Sequence, residues 1–336
     1  MTSNVLDREV PLPPEDKRVI SEIREIPGLN NMFNAGAWLT TRGETMLLLR
    51  QVLEPGQPGQ PDSGPLVNMN LGKPEDLIEL ELMGNNVINK EVVWHPEGKD
   101  SLLEDPRVVI IGDGRVMVGM TAVEARVPYP AITYLEQDSI SKIEPSTVRI
   151  IRDFGPGKNM TPIDSSTFFF RQEKNHHKLL VLSWDENNDR IDKTGELEFP
   201  KDIDWASWRV GTGSPPIWIN EREALMIFHG IKVENGLYVY SVGKAMLYKD
   251  DNGKYSLTHI DRTPLLHPDD FITKEDGSPL VPELHPELRR VLYVCGHTLE
   301  GDDLSLFVNH GDSTTIPHGY SLGKMVEDLR RVENKV

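Results

Sequence analysis

Only one cysteine, Cys295, stands among the 336 residues, so neither an intramolecular disulfide nor a thiolate cage around zinc is available to this chain. Basic residues are outnumbered 36 to 53, for a formal net charge of -17. A surface of that sign repels a phosphate backbone and argues against nucleic acid as a partner. Any anion site must therefore be a local cluster of cations working against the global field. No apolar run approaches the roughly 18 residues of a membrane helix. Met1–Glu9 contains no apolar core for a secretory signal. These absences suggest a protein of a reducing cytoplasm with no membrane partner. The oligomeric state is not legible, and a homo-oligomer is compatible with the sequence.

What is present is β-type. Short apolar runs recur at Thr45–Leu49, Val108–Ile111, Val116–Met120, Thr147–Ile151, Phe168–Phe170 and Leu179–Leu182. They continue at Pro216–Ile219, Ala224–Phe228, Tyr238–Val242, Val291–Cys295 and Leu304–Val308. Turn signals such as Gly112-Asp113-Gly114, Asn252-Gly253 and Gly301-Asp302-Asp303 separate them. Lys73–Asn86 reads as a loop or an irregular strand pair, and the Pro- and Gly-rich stretch Glu54–Gly64 as an inserted loop. Helical spacing is convincing only near the end, where Met325, Val326 and Leu329 predict a helix over 323–332. Many short strands with polar turns indicate an all-β sandwich, barrel or propeller. A sandwich closes in about 100 residues, whereas this length accommodates five four-stranded blades with terminal extensions at 1–25 and 323–336, as one catalytic domain. No internal sequence repeat supports the division, and Trp184-Asp185 is an isolated pair rather than a WD repeat.

Polar groups stand at breaks between these runs along the whole chain, which suggests one central site lined by every part of it. Asn34 lies in Phe33-Asn34-Ala35-Gly36-Ala37, and Asp105 in Glu104-Asp105-Pro106-Arg107. Asp312 lies in Asn309-His310-Gly311-Asp312-Ser313. Asp105 precedes a proline and so favours extended backbone. Between Glu104 and Arg107 its acidity can be tuned in either direction, as a glycosidic general acid requires. A surface ion pair in a turn is the competing reading. His176-His177 cannot jointly chelate a metal from a strand, because adjacent side chains there face opposite ways. Gly211-Thr212-Gly213-Ser214-Pro215-Pro216 lacks the lysine and helix start of a phosphate-binding P-loop.

Taken in order, Phe33-Asn34-Ala35-Gly36-Ala37, Glu104-Asp105-Pro106-Arg107, Gly211–Pro216, Phe228-His229-Gly230 and Tyr240-Ser241-Val242-Gly243 resemble glycoside hydrolase family 130. That family comprises β-mannoside phosphorylases and some β-mannosidases, and the resemblance runs from about residue 30 to the C-terminus. It implies a five-bladed β-propeller with an axial site. It also implies Asp105 as the single catalytic acid, protonating the departing oxygen through a sugar hydroxyl. Inorganic phosphate, a co-substrate rather than a cofactor, then attacks the opposite face and gives α-mannose 1-phosphate. Asn34, Arg50, Glu104, Arg107 and Asp312 match positions that bind the sugar. Lys158, Arg209, His229, Tyr238 and Tyr240 match the phosphate site. No metal is implied.

The chain departs from the pattern in one respect. Where the phosphorylases carry His-Arg-Pro, it reads Leu182-Ser183-Trp184-Asp185. That removes an expected phosphate arginine unless Arg171 or Arg190 reaches the same place. It leaves Asp185 or Glu173 as candidate bases for an inverting β-mannosidase, which needs a second carboxylate roughly 6.5–9.5 Å from the first. A non-catalytic sugar-binding propeller is the third alternative. Trp38, Trp94, Trp205 and Trp208 are candidates to stack on sugar faces, with core packing the commoner role.

Overall fold

The computed structural model describes residues 32–52, 75–83, 86–94, 101–271, 290–311 and 314–331. Its strands form five antiparallel sheets. Blade one comprises β1 (Met32–Leu39), β2 (Thr45–Val52), β3 (Glu75–Met83) and β4 (Asn86–Trp94). Blade two comprises β5 (Ser101–Ile110), β6 (Arg115–Glu124), β7 (Val127–Glu136) and β8 (Arg149–Ile150). Blade three comprises β9 (Gly157–Pro162), β10 (Thr167–Gln172), β11 (Lys178–Asp185) and β12 (Arg190–Glu198). In blade four, β13 (Arg209–Thr212) and β14 (Ile217–Trp218) both pair with β15 (Glu223–Glu234), followed by β16 (Leu237–Lys249) and β17 (Tyr255–Ile260). Blade five comprises β18 (Leu292–Glu300), β19 (Asp303–His310) and β20 (Thr314–Ser321).

This is a five-bladed β-propeller, as the resemblance implied. The innermost strands touch in succession around the axis from β18 through β1, β5 and β9 to β13, and β15 and β16 of blade four meet β18. The apolar core is divided among the seams between blades. Phe168 and Phe170 of blade three pack with Met117 and Ile132 of blade two. Phe169 packs on the other face of the same blade, with Met226 and Phe228 of blade four. Successive side chains on a strand point to opposite faces, so one Phe-Phe-Phe run serves two seams. Phe307 of blade five packs into the blade-one cluster of Leu47, Leu49 and Ile78 and closes the ring.

Of the two readings of Lys73–Asn86, the irregular strand pair holds: β3 and β4 pair antiparallel with register shifts at Leu77/Ile78 and Glu81/Leu82, and Leu77, Leu80 and Leu82 are buried. The only α-helix among the described residues, α1 (Leu322–Arg331), begins one residue before the expected span. Met325, Val326 and Leu329 seat it on the seam between blades four and five. No helix among the described residues is long and apolar enough to cross a membrane. The Glu54–Gly64 stretch lies outside the described residues.

Near the axis the ladders are regularly broken. In β1, Asn34 and Ala35 stand opposite one residue of β2; in β5, Asp105 and Pro106 stand opposite one residue of β6. In β9, Asn159 and Met160 stand opposite one residue of β10, and Cys295 is a single extra residue in β18. Asn34, Asp105 and Asn159 occupy the left-handed region, at φ 61°, 55° and 64°. Asn and Asp tolerate that conformation better than most residues, and a bulge re-aims the side chain it carries. A structural repeat thus exists that the sequence does not announce: three inner strands each turn one short polar side chain at the same place.

Candidate active site

The bulges bring Asn34 and Asp105 into contact although 71 positions separate them. Asn34 Nδ2 donates to Asp105 Oδ1 at 2.6 Å, and Arg50 from β2 donates to the same oxygen at 2.9 Å. Arg50 also lies 3.4 Å from Glu104 Oε1, while Lys158 Nζ donates to Glu104 Oε2 at 2.8 Å. Glu104 therefore has both oxygens engaged by cations and acts as the bridge between blades two and three. Arg107, wholly buried, donates to the main-chain carbonyls of Asp105 at 2.7 Å and Gly213 at 2.8 Å. Its guanidinium ties the Asp105 backbone to blade four.

The electrostatics follow from this cage. Burial alone would raise the Asp105 pKa. Arg50, then Lys158 and Arg107, with the Asn34 hydrogen bond, outweigh it and hold the carboxyl below its ordinary value. Burial would likewise discharge Lys158, but Glu104 and Asp105 keep its pKa above the usual lysine value. Asp105 thus rests as a carboxylate rather than as a general acid tuned upward toward neutrality.

Beside this carboxylate lies a basic cluster. Arg171, on β10 directly opposite Lys158, is only 5% exposed. Its guanidinium has no hydrogen-bond or ion-pair partner among the described residues, and Nε is buried and unsatisfied. Burial, then the charge of Arg209, pushes its pKa down to about 10. Arg209 opens β13 and lies over the Trp208 ring at 4.3 Å. His229 is buried and held neutral by burial and by the charges of Arg171 and Arg107. Its Nε2 lies 3.4 Å from Asn159 Nδ2, and its Nδ1 has no partner among the described residues. Tyr240 stacks on His229 with ring centroids 5.8 Å apart. Gly211 makes this packing possible, because a Cβ there would strike the His229 imidazole and the Asn159 amide.

Of the residues expected at the site, Asn34, Arg50, Glu104, Asp105, Arg107, Lys158, His229 and Tyr240 converge near the axis. Arg209 joins them through its field on Arg171. Tyr238 stands further out, with its ring 4.7 Å from Trp208. Asp312 lies outside the described residues. Of the two arginines that could stand in for the missing one, Arg171 lies at the cluster, opposite Lys158. Arg190 does not reach the cluster; it pairs with Asp192 on the outer strand. Asp185 is also peripheral, bonded to Asn188 in the β11–β12 turn, and cannot serve as a base. Glu173 does lie at the cluster, 2.9 Å from Arg209 NH1.

Sequence reasoning missed Asn159 as a site residue, whereas Trp208, one of the four candidate tryptophans, lies at the cluster under Arg209. Asn159 had a usable signal, since Lys158-Asn159 repeats the pattern of a polar residue at a strand break. Trp38, Trp94 and Trp205 are core residues; Trp205 stacks on Phe228. His176 sits in the β10–β11 turn rather than a strand, with Nε2 3.4 Å from Arg209 NH2. Among the described residues no cluster of three side chains could hold a metal.

No family model matches the chain, and no curated protein matches it. Solved structures do match, 84 chains in all. A β-1,2-mannobiose phosphorylase from Listeria innocua, in complex with β-1,2-mannobiose, is similar over 90% of this chain and 92% of its own. The identity is 17% and the TM-score 0.64. Glycoside hydrolase family 130 is represented among these neighbours. One is described with the family of mannoside phosphorylases containing hydrolases that target β-1,2-mannosidic linkages in Candida mannan. It matches over 87% of this chain and 84% of its own, at 15% identity and TM-score 0.60. A mannose phosphorylase from Leishmania mexicana, in complex with phosphate ion, matches over 93% and 89% at 12% identity and TM-score 0.58. At such identities the likeness establishes a shared fold.

Proposed function

We propose that this chain is a single-domain family 130 enzyme that cleaves β-mannosides with inorganic phosphate, inverting the anomeric centre and releasing α-mannose 1-phosphate. One observation carries the reading. Arg171 is a buried guanidinium, unpaired among the described residues, beside Arg209, His229 and Lys158 and within the electrostatic reach of the Asp105 cage. Around the site, Arg50, Arg107, Lys158, Arg171 and Arg209 face the carboxylates of Glu104, Asp105 and Glu173. Among the described residues, five cations against three anions leave an excess of two positive charges, which a phosphate dianion would match. An acidic protein has little reason to bury that excess unless an anion arrives.

Phosphate is already a nucleophile and needs no general base. Its oxygen forms the new bond to the anomeric carbon as the bond to the departing oxygen breaks. The departing oxygen takes a proton that Asp105 supplies through a sugar hydroxyl. Because Asp105 rests as a carboxylate, that proton must be acquired on binding. Phosphate cancels the positive excess that keeps the carboxyl acidic, so its arrival raises the affinity of Asp105 for a proton. Asn34 and Arg50 orient the carboxyl, and no organic cofactor is needed. The hydrolytic alternative would use Glu173 as base, and the expected setting is cytoplasmic.

The deciding experiment is incubation with β-1,2-mannobiose, the sugar bound by the Listeria neighbour, with and without phosphate. Sugar phosphate should form only when phosphate is present. Free mannose released at the same rate in both would overturn phosphorolysis in favour of hydrolysis.

A further inference from the structure

Arg209 is not free for an incoming anion. Its NH1 donates to Glu173 Oε1 at 2.9 Å and its NH2 to the Glu173 main-chain carbonyl at 3.1 Å. The two contacts differ in permanence. The carbonyl belongs to a backbone pinned by the hydrogen bond from Glu173 N–H to Pro156 O at 2.9 Å. The side chain is 51% exposed, whereas that of Arg209 is 10% exposed. Only the carboxylate can swing into solvent. If it left, Arg209 would stay in place, held by the carbonyl and by the Trp208 ring.

The Glu173 carboxylate also sits in the field of the same three cations that would hold phosphate. Burial would raise its pKa, but Arg209, then Arg171 and Lys158, outweigh burial and lower it. We propose that Glu173 is an internal stand-in for the co-substrate, its carboxylate occupying Arg209 until phosphate displaces it, so that this residue sets the affinity for phosphate. The inference rests on the phosphorylase reading. It explains how two guanidiniums tolerate each other in the unliganded site: Glu173 neutralises the more exposed one and leaves Arg171 as the docking point. Phosphate meets Arg171 first and takes Arg209 as the carboxylate rotates out.

The test is calorimetric titration of inorganic phosphate into the wild-type protein, Glu173→Gln and Glu173→Ala, with steady-state kinetics on all three. Displacing a half-exposed ion pair costs little, so removing the carboxylate should tighten phosphate binding by about three- to tenfold. The KM for phosphate should fall with it, while the KM for the mannoside stays within about twofold, because the sugar is not the displaced partner. Phosphate binding that is unchanged or weakened in both variants would overturn the proposal and make Glu173 a positioning residue for Arg209. No phosphate binding by any of the three proteins would overturn the phosphorylase reading as well. Loss of phosphate-independent mannose release in both variants, with no gain in phosphate affinity, would overturn the proposal and assign Glu173 as a base for water.

Discussion

Asp105 and Glu79 are both buried carboxyl groups on propeller strands, and their surroundings drive them in opposite directions. Glu79 lies on β3 opposite Glu91, fully buried, with Oε2 accepting the Ser141 N–H at 3.0 Å and Oε1 unsatisfied. No cation among the described residues answers it. Burial, reinforced by Glu91 and Glu81, raises its pKa to about 8 in spite of the Ser141 hydrogen bond. Asp105 is desolvated too but meets Arg50, Lys158 and Arg107, and it ionises more readily than in water. Burial makes charge expensive; the neighbours decide whether the charge is kept. In blade one the outcome is a neutral group that seats a loop. At the axis it is a carboxylate whose proton affinity an incoming anion can reset.

That contrast can be broken by removing either carboxyl or the cations that distinguish them. The largest effect is expected for Asp105→Asn, which keeps the size but not the proton. Turnover should fall by a factor on the order of 10³ or more, given the 10²–10⁴ that general acids contribute, while circular dichroism and melting temperature show an intact fold. Full activity in this variant would make the site a binding module. Next is Arg171→Met, which removes the unpaired charge and keeps much of the apolar bulk. The KM for phosphate should rise by about 10- to 100-fold, as expected for a charge-assisted contact, with the mannoside KM little changed. Equal rises in both would make Arg171 a structural residue.

The smallest effect belongs to Glu79→Gln. A carboxyl whose folded pKa lies near 8, above its unfolded value, is stabilising below the unfolded pKa, and that contribution is lost as pH rises through 8. The wild-type melting temperature should therefore decline between pH 5 and 9 more steeply than that of the variant. At pH 9 the variant should melt higher by about 2–4 °C, the shift that 1 kcal/mol produces in a large domain. Parallel pH profiles would mean that Glu79 has a partner that removes the penalty.

The outer parts of the blades were more legible than the axis. Ala224–Phe228, Leu179–Leu182 and Leu304–Val308 were readable because these strands are continuous apolar runs buried on both faces. β1, read as Phe33-Asn34-Ala35-Gly36-Ala37, has no such signature, and neither does β9 with Gly157-Lys158-Asn159. Five strands crowd together at the axis, so the inner positions need small residues; a Cβ at Gly296 would strike the backbone of Ala35 and Ala37. Bulges then break the alternation that marks a strand. Proline hid β7, where Pro128 and Pro130 interrupt the pattern, and charge hid β12, whose Arg190, Asp192, Lys193 and Glu198 face solvent. The site residues were named from their ordered resemblance to a family, not from periodicity. Sequence left Arg171 and Arg190 as equal candidates for the missing cation, because the pairing of Arg171 with Lys158 depends on a bulge that only coordinates reveal.

The added residue in β1, β5, β9 and β18 makes the protein unequally tolerant of changes in length. A strand that loses its extra residue slips by half a pleat, and every side chain beyond that point exchanges its inward and outward faces. Lengthening a turn at the rim leaves the pleat phase of the blades untouched. A single codon deleted within an inner strand would re-face its side chains and withdraw its contribution to the axis, even if the propeller still closed.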